Sequence, residues 1–154
     1  MRPQDAETDA IVEMLQKAPL WSGLTNEELK VIAHSFTELK YESGDIIVRK
    51  EEAGSRLLSY GGRRVGFYLI VDGTVEVRKD GRVLSKLGPG QFFGEMSLLD
   101  AQARSADVVA LEPVRCLTLS VWNFKDIMSD HPKIAAKMRQ ESARRSRVNA
   151  KSAI

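Results

Sequence analysis

The sequence predicts a mainly β protein, a small barrel or jelly roll flanked by helices, and three observations carry that expectation. The middle of the chain changes from helical spacing to short apolar runs with strand periodicity. Turn signals separate those runs, among them Asp80-Gly81 and Gly88-Pro89-Gly90. Helical patterns are confined to the two ends, and helices followed by many short strands and then helices imply a closed or two-sheet β architecture.

Each element follows from local chemistry. Thr8 to Lys17 places Ala10, Ile11, Met14 and Leu15 at helical spacing, and Pro19 ends that run. Thr25-Asn26-Glu27-Glu28 has the form of a capping box and starts a helix through Leu29, Ile32 and Ala33 to about Phe36. Asp45–Arg49, Gly66–Val71 and Thr74–Lys79 read as strands. In the last, Val75 and Val77 face one side while Glu76 and Arg78 face the other. Asp80-Gly81 suits a two-residue hairpin, whose favoured turn needs positive φ at both central positions. Val83–Leu87 returns, and Ala106–Ala110 and Val114–Ser120 follow as strands. Ser120 caps a helix through Phe124 and Met128, and His131-Pro132 opens a final helix from Lys133 onward. Trp21 and Trp122 are expected to anchor helices on the barrel.

With 154 residues, 43% hydrophobic and 29% charged, the chain has the size and balance of one soluble globular domain. No run reaches the roughly 18 apolar residues of a membrane helix. The first ten residues carry acids and no apolar core, unlike a secretory signal. One cysteine, Cys116, excludes an internal disulfide and fits a reducing cytoplasm. From Lys133 onward there are seven basic residues and one acid, a local net of +6 in a chain whose total is +2. Such a helix is expected to be a solvated face, with only salt-sensitive, nonspecific affinity for nucleic acid. His34 and His131 lack further ligands at metal spacing, and no nucleophile has a base beside it, so neither a metal site nor catalysis is expected.

The chemistry concentrates between Phe92 and Val108, FFGEMSLLDAQARSADV. Gly94 lets a backbone approach a ligand without a Cβ in the way. Glu95 begins a stretch whose free N–H groups would attract an anion if it opens a short helix. Arg104 adds a planar cationic fork suited to phosphate. A carboxylate beside a phosphate site makes sense when the ligand also offers hydroxyl donors, as a ribose does. One anionic phosphate and one sugar hydroxyl describe a nucleotide with little free phosphate charge.

This arrangement resembles the phosphate-binding cassette of the cyclic nucleotide-binding domain family, here Phe93-Gly94-Glu95-Met96-Ser97-Leu98 followed by Arg104-Ser105-Ala106-Asp107-Val108. The likeness extends from about Leu20 to about Arg145 and includes Pro19–Leu24, Gly66–Gly73 and Leu87–Gly90. It implies one cyclic nucleotide-binding domain over residues 1–154: N-terminal helices over 1–40, a β-roll over 41–120 with its cassette at 92–108, and C-terminal helices with a lid over 121–154. It implies that Arg104 holds the cyclic phosphate and Glu95 the ribose 2′-hydroxyl. Gly94, Met96 and Ser97 would act through backbone groups, and Ser105 would add a hydroxyl near the phosphate or base. Val77, Leu84 and Ser85 would line the base, although Val77, Leu84 and Met96 are also ordinary core candidates. Arg145 falls where members place a residue that closes over the base, with Arg144 and Met138 as competitors.

Two departures from the family pattern stand out. Asp107 replaces the usual Thr or Ser, and strand alternation puts it on the face of Ser105, where its charge would oppose an anion. Ser55–Val65 inserts about ten residues before the third strand, expected as a tolerated surface loop. The expected function is a non-enzymatic cyclic nucleotide receptor, cAMP ahead of cGMP, that signals by movement of the C-terminal helix. Its output would be an unknown protein effector, a homodimer or a domain outside this sequence, since only about ten residues follow Arg144. The last helix shows no sustained heptad, with Ile134, Met138, Ser142 and Arg145 at its core-like positions. The alternatives are a scaffold of the same fold without nucleotide binding, or a regulatory fragment of a channel, an enzyme or a DNA-binding regulator.

Overall fold

Eight strands form two four-stranded antiparallel sheets, with helices on one side, in a computed structural model that describes residues 3–49, 65–94 and 106–152. Helix α1 spans Pro3–Lys17, a 3₁₀ turn follows at Pro19–Trp21, and α2 spans Asn26–Ala33. The strands are β1 Thr37–Tyr41, β2 Ile46–Val48, β3 Val65–Asp72, β4 Val75–Lys79, β5 Arg82–Leu87, β6 Phe92–Phe93, β7 Asp107–Ala110 and β8 Val114–Ser120. Helices α3, Val121–Asp130, and α4, Pro132–Ser152, complete the order. The first sheet runs β1-β8-β3-β6 and the second β2-β7-β4-β5. This is the expected β-roll.

The capping box forms as expected. Glu28 N–H donates to Thr25 Oγ1 at 3.1 Å, and Thr25 N–H donates to Glu28 Oε1 at 3.0 Å. Ser120 likewise accepts from Asn123 N–H at the start of α3. Asp80 and Gly81 take φ of 52° and 79°, which closes the β4–β5 hairpin with both central residues left-handed. Three boundaries need correction. Helix α1 starts five residues earlier than its apolar spacing indicates, and α2 ends at Ala33 rather than Phe36. Residues 37–41, inside or just beyond the span assigned to helices, form β1.

Strands β3 and β8 at the centre of the first sheet are buried on both faces, which explains their nearly unbroken apolar runs. Phe67, Leu69, Phe92, Leu117 and Leu119 pack outward with Trp21, Ile32, Phe124, Ile134 and Met138. Tyr68, Ile70, Phe93, Val114 and Cys116 point the other way and meet Val75, Val108 and Ala110 of the second sheet. Each fully buried large side chain contributes about 1.5–3 kcal/mol by leaving water. Trp21 anchors the helical layer as expected. Trp122 does not: it is 56% exposed, with the Lys125 ammonium 6.0 Å from its ring centre. On α3 it follows the inward-facing Val121 and falls outside the stripe formed with Phe124 and Ile127.

Candidate functional site

Residues of both sheets face the interior between them and pack there as one apolar cluster. Val77 lies directly opposite Ser85 on β5 and opposite Val108 on β7, so the row Val108–Val77–Ser85 shares one face. Val77 packs on the interior cluster, which fixes that face as the inward one. The Ser85 hydroxyl is buried and has no hydrogen-bond partner among the described residues. Leu84 is the extra residue of a β-bulge, because Val77 pairs with Ser85 while Arg78 pairs with Val83. It is half-buried. Tyr68 and Phe93 face the same interior from the first sheet, stacked with centroids 4.7 Å apart and planes 7° from parallel.

Charge is kept on the outer face of the second sheet. Arg78 Nε donates to Glu76 Oε1 at 2.6 Å, and Asp107 sits opposite Arg78 in register. Asp107 therefore shares the face of Arg78 and Glu76 and points away from Val77 and Val108. The concern that its carboxylate occupies the interior is removed by this register. Burial pushes the Cys116 thiol up to about 12. Burial, followed by the nearby Tyr68, also raises the Tyr41 phenol well above its ordinary value, so both groups stay neutral at physiological pH.

Phe93 ends β6 in the first sheet, and Gly94 follows with φ +93°, in the left-handed region that favours glycine. The chain is next described at Ala106, before β7 in the second sheet. The described chain thus leaves the first sheet at Gly94 and resumes just before β7 of the second, the strand that carries Val108 of the Val77–Ser85 row. Glu95, Met96, Ser97, Arg104 and Ser105 lie outside the described residues, as do residues 55–64 of the insertion. Of the expected site residues, Val77 and Ser85 are thus brought together on the interior face, with Gly94 at the end of β6.

Arg145 is elsewhere. It is 8% exposed and donates from Nη1 to the Phe92 carbonyl at 2.7 Å, with its guanidinium carbon 4.9 Å from the centre of the Phe92 ring. Phe92 faces the helices, whereas Phe93 faces the interior. Of its two competitors, Arg144 is exposed and paired with Glu141, and Met138 is fully buried in the helical core. The stacking of Tyr68 on Phe93 is absent from the sequence-based expectations. Its signal was available in Phe92-Phe93, since adjacent strand residues point to opposite faces. Among the described residues no group of three or more His, Cys, Asp or Glu is placed to hold a metal. No helix among them is long and apolar enough to cross a membrane.

A family model for the cyclic nucleotide-binding domain matches residues 38–131. The chain belongs to the cyclic nucleotide-binding domain family. It is 32% identical over 138 residues to the cyclic AMP receptor protein of Thermus thermophilus, covering 86% of this chain and 59% of that one. It is 33% identical over 117 residues to a cAMP-dependent protein kinase regulatory subunit of Debaryomyces hansenii, covering 75% of this chain and 24% of that one. This cyclic nucleotide-binding domain therefore spans less than two thirds of either relative. Among solved structures, cAMP-bound PfPKA-R superposes with a TM-score of 0.82 at 19% identity, over 97% of this chain and 49% of that one. The catabolite activator protein of Thermus thermophilus superposes with a TM-score of 0.68 at 32% identity, over 84% and 59%. The two-sheet roll with flanking helices is the fold they share.

Proposed function

We propose that this domain, extending over residues 1–154, is a non-enzymatic cytoplasmic sensor that binds cAMP in preference to cGMP between its two sheets. Arg104 neutralises the cyclic phosphate, and Glu95 accepts the ribose 2′-hydroxyl. Gly94, Met96 and Ser97 contribute backbone groups, and Ser105 adds a hydroxyl. Val77, Leu84 and Ser85 form the wall against the base. The last helix carries the output to another chain or to a domain beyond this sequence. The last helix covers the base, the role that the resemblance assigns to Arg145.

The observation that carries the proposal is the inward row Val108–Val77–Ser85 on the second sheet, with a buried hydroxyl that no described residue satisfies. A buried hydroxyl without a partner is costly, and a ligand that offers a hydrogen bond would satisfy it. The relatives bear on the ligand as well. One is named a cyclic AMP receptor protein and another a subunit of a cAMP-dependent kinase. Titration with cAMP, cGMP and 2′-deoxy-cAMP tests the proposal. The expected order is cAMP tightest, with the 2′-deoxy form weakened because Glu95 loses its donor. Tighter binding of cGMP would overturn the ligand preference, and undiminished binding of the deoxy form would overturn the role of Glu95.

A further inference from the structure

A groove of about 280 Å³ lies between the 3₁₀ turn at Pro19–Trp21, the turn into β6 and helix α4. Leu20 and Phe92, both buried, supply its apolar floor, and Pro19 faces Gly90 at one end. Gly90 takes φ +86°, and a Cβ there would stand 3.8 Å from Pro19 Cδ, so a glycine keeps that end open. Lys137, Glu141 and Arg145 follow one another a turn apart along the helix side. An apolar floor with a few converging polar groups is the build of a small-molecule site, and the volume falls just below the roughly 300–1,000 Å³ of such sites. The groove is on the helical side of the first sheet, away from the interior that Val77 faces.

Strand β6 adds a hydrogen-bond donor. Ile70 N–H donates to the Gln91 carbonyl at 2.9 Å, which makes Leu69 and Phe92 a non-hydrogen-bonded pair of the antiparallel ladder. Both backbone groups of Phe92 therefore point away from β3, off the edge of the sheet, where β6 is the last strand. Arg145 Nη1 takes the carbonyl at 2.7 Å, and its guanidinium carbon lies 4.9 Å from the centre of the Phe92 ring. The Phe92 N–H, on the same edge, has no acceptor among the described residues. Phe92 is 4% exposed, and a buried amide without an acceptor is costly. The charges around it are unbalanced. Lys137 and Arg145 stand against one carboxylate, Glu141, and Arg144 already holds that carboxylate through both oxygens. Lys137 donates to the Ser22 carbonyl at 2.8 Å, about 12 Å along the helix from Arg145, so one small anion meets the Phe92–Arg145 end alone.

We propose that this groove is a second ligand site, separate from the nucleotide cassette, for a small monocarboxylate with an apolar body. The carboxylate accepts from the Phe92 N–H and pairs with the Arg145 guanidinium, and the body lies on Leu20 and Pro19. Bonds between ionised partners are shorter and about twice as strong as neutral ones, which favours the acid over its amide. A cationic ligand meets the net positive lining and is repelled. A peptide added as a further strand does not fit, because β6 has two residues and the outward carbonyl of Phe92 is taken.

The experiment is a titration of the 154-residue chain followed through its backbone amide resonances, with 4-phenylbutyrate, 4-phenylbutyramide and 4-phenylbutylamine as probes. The expected result is a saturable shift of the Phe92 amide with the carboxylate, with an affinity on the order of millimolar for so small a ligand. The amide and the amine should bind at least about tenfold more weakly, the scale of one hydrogen-bonded charge. Arg145→Leu extends the apolar stripe of Ile134 and Met138, and should weaken the carboxylate by about tenfold or more while moving the amide by less than about twofold. The comparison of the three probes on wild type needs no variant, so it decides the matter even where Arg145→Leu does not fold. No saturable shift at Phe92 up to about 10 mM carboxylate would overturn the site. Equal binding of acid, amide and amine would overturn the carboxylate assignment. Shifts centred on Val77, Ser85 and Gly94 in place of Leu20 and Phe92 would put the acid in the nucleotide site and overturn the separate groove.

Discussion

Tyr68 and Phe93 lie ring on ring, 4.7 Å between centroids, and this pair joins the central strand of the first sheet to the strand from which the cassette departs. It is the point at which the core between the sheets meets the strand that leads into the proposed site. Replacing Phe93 by Ala should cost about 3–5 kcal/mol of stability through the cavity left between the sheets. A double-mutant cycle of Tyr68→Leu and Phe93→Leu, read by urea denaturation, should show a coupling of about 0.5–1.5 kcal/mol. Strict additivity would deny the stacking.

Gly73 turns β3 into β4 at φ +90°, and a Cβ there would run into the Pro113 carbonyl and the Val114 backbone. Both the backbone conformation and the lack of space oppose any side chain. Gly73→Ala is expected to destabilise by at least about 2 kcal/mol. A denaturation midpoint equal to that of wild type would show that the turn relaxes without cost.

The Glu28 carboxylate is held below its usual range by the Thr25 backbone N–H and then by the Thr25 hydroxyl. A folded-state pKa below the unfolded one stabilises the protein above the unfolded value, about 4.3, and that support is lost as pH falls through the folded value. Glu28→Gln should therefore be less stable than wild type at pH 6, with the gap narrowing toward pH 3. A gap of constant size across that range would remove the carboxylate from the explanation.

Cys116 has no exposure to solvent, and its thiol is raised to about 12 by burial. Reaction with iodoacetamide at pH 8 should be at least about a hundredfold slower in the native protein than in denaturant, where the thiol returns to about 8.5. Comparable rates in the two conditions would mean that β8 opens readily to solvent.

Much of this architecture is legible in the sequence because local chemistry and global fold agree. The capping box at Thr25, the Asp80-Gly81 hairpin, the Ser120 cap and Pro132 at the head of α4 each announce themselves through a few residues. The alternation of Val75 and Val77 against Glu76 and Arg78 is likewise present in the sheet. Strand β1, Thr-Glu-Leu-Lys-Tyr, is hard to read because it is a largely exposed edge strand without a buried face to impose alternation. Its pairing is set by β8, which lies 77 residues away at the Leu39–Cys116 step. Trp122 defies expectation because a large aromatic residue is not by itself evidence of burial. At the site, the inward row through Val77 follows from strand period, but the partner of Arg145 does not. Its contact with Phe92 depends on how α4 lies across β6, a tertiary relation that helical spacing alone does not encode.

The most direct test is calorimetric titration of cAMP into wild type and Arg104→Ala, with folding of both checked by circular dichroism. Loss of a charge partner for the phosphate is expected to cost about 2–5 kcal/mol, a weakening of roughly 30- to several-thousand-fold. Saturable binding in wild type and that loss in a folded variant are the predicted results. Equal affinity in the two proteins, or no binding heat in wild type, would contradict the receptor function.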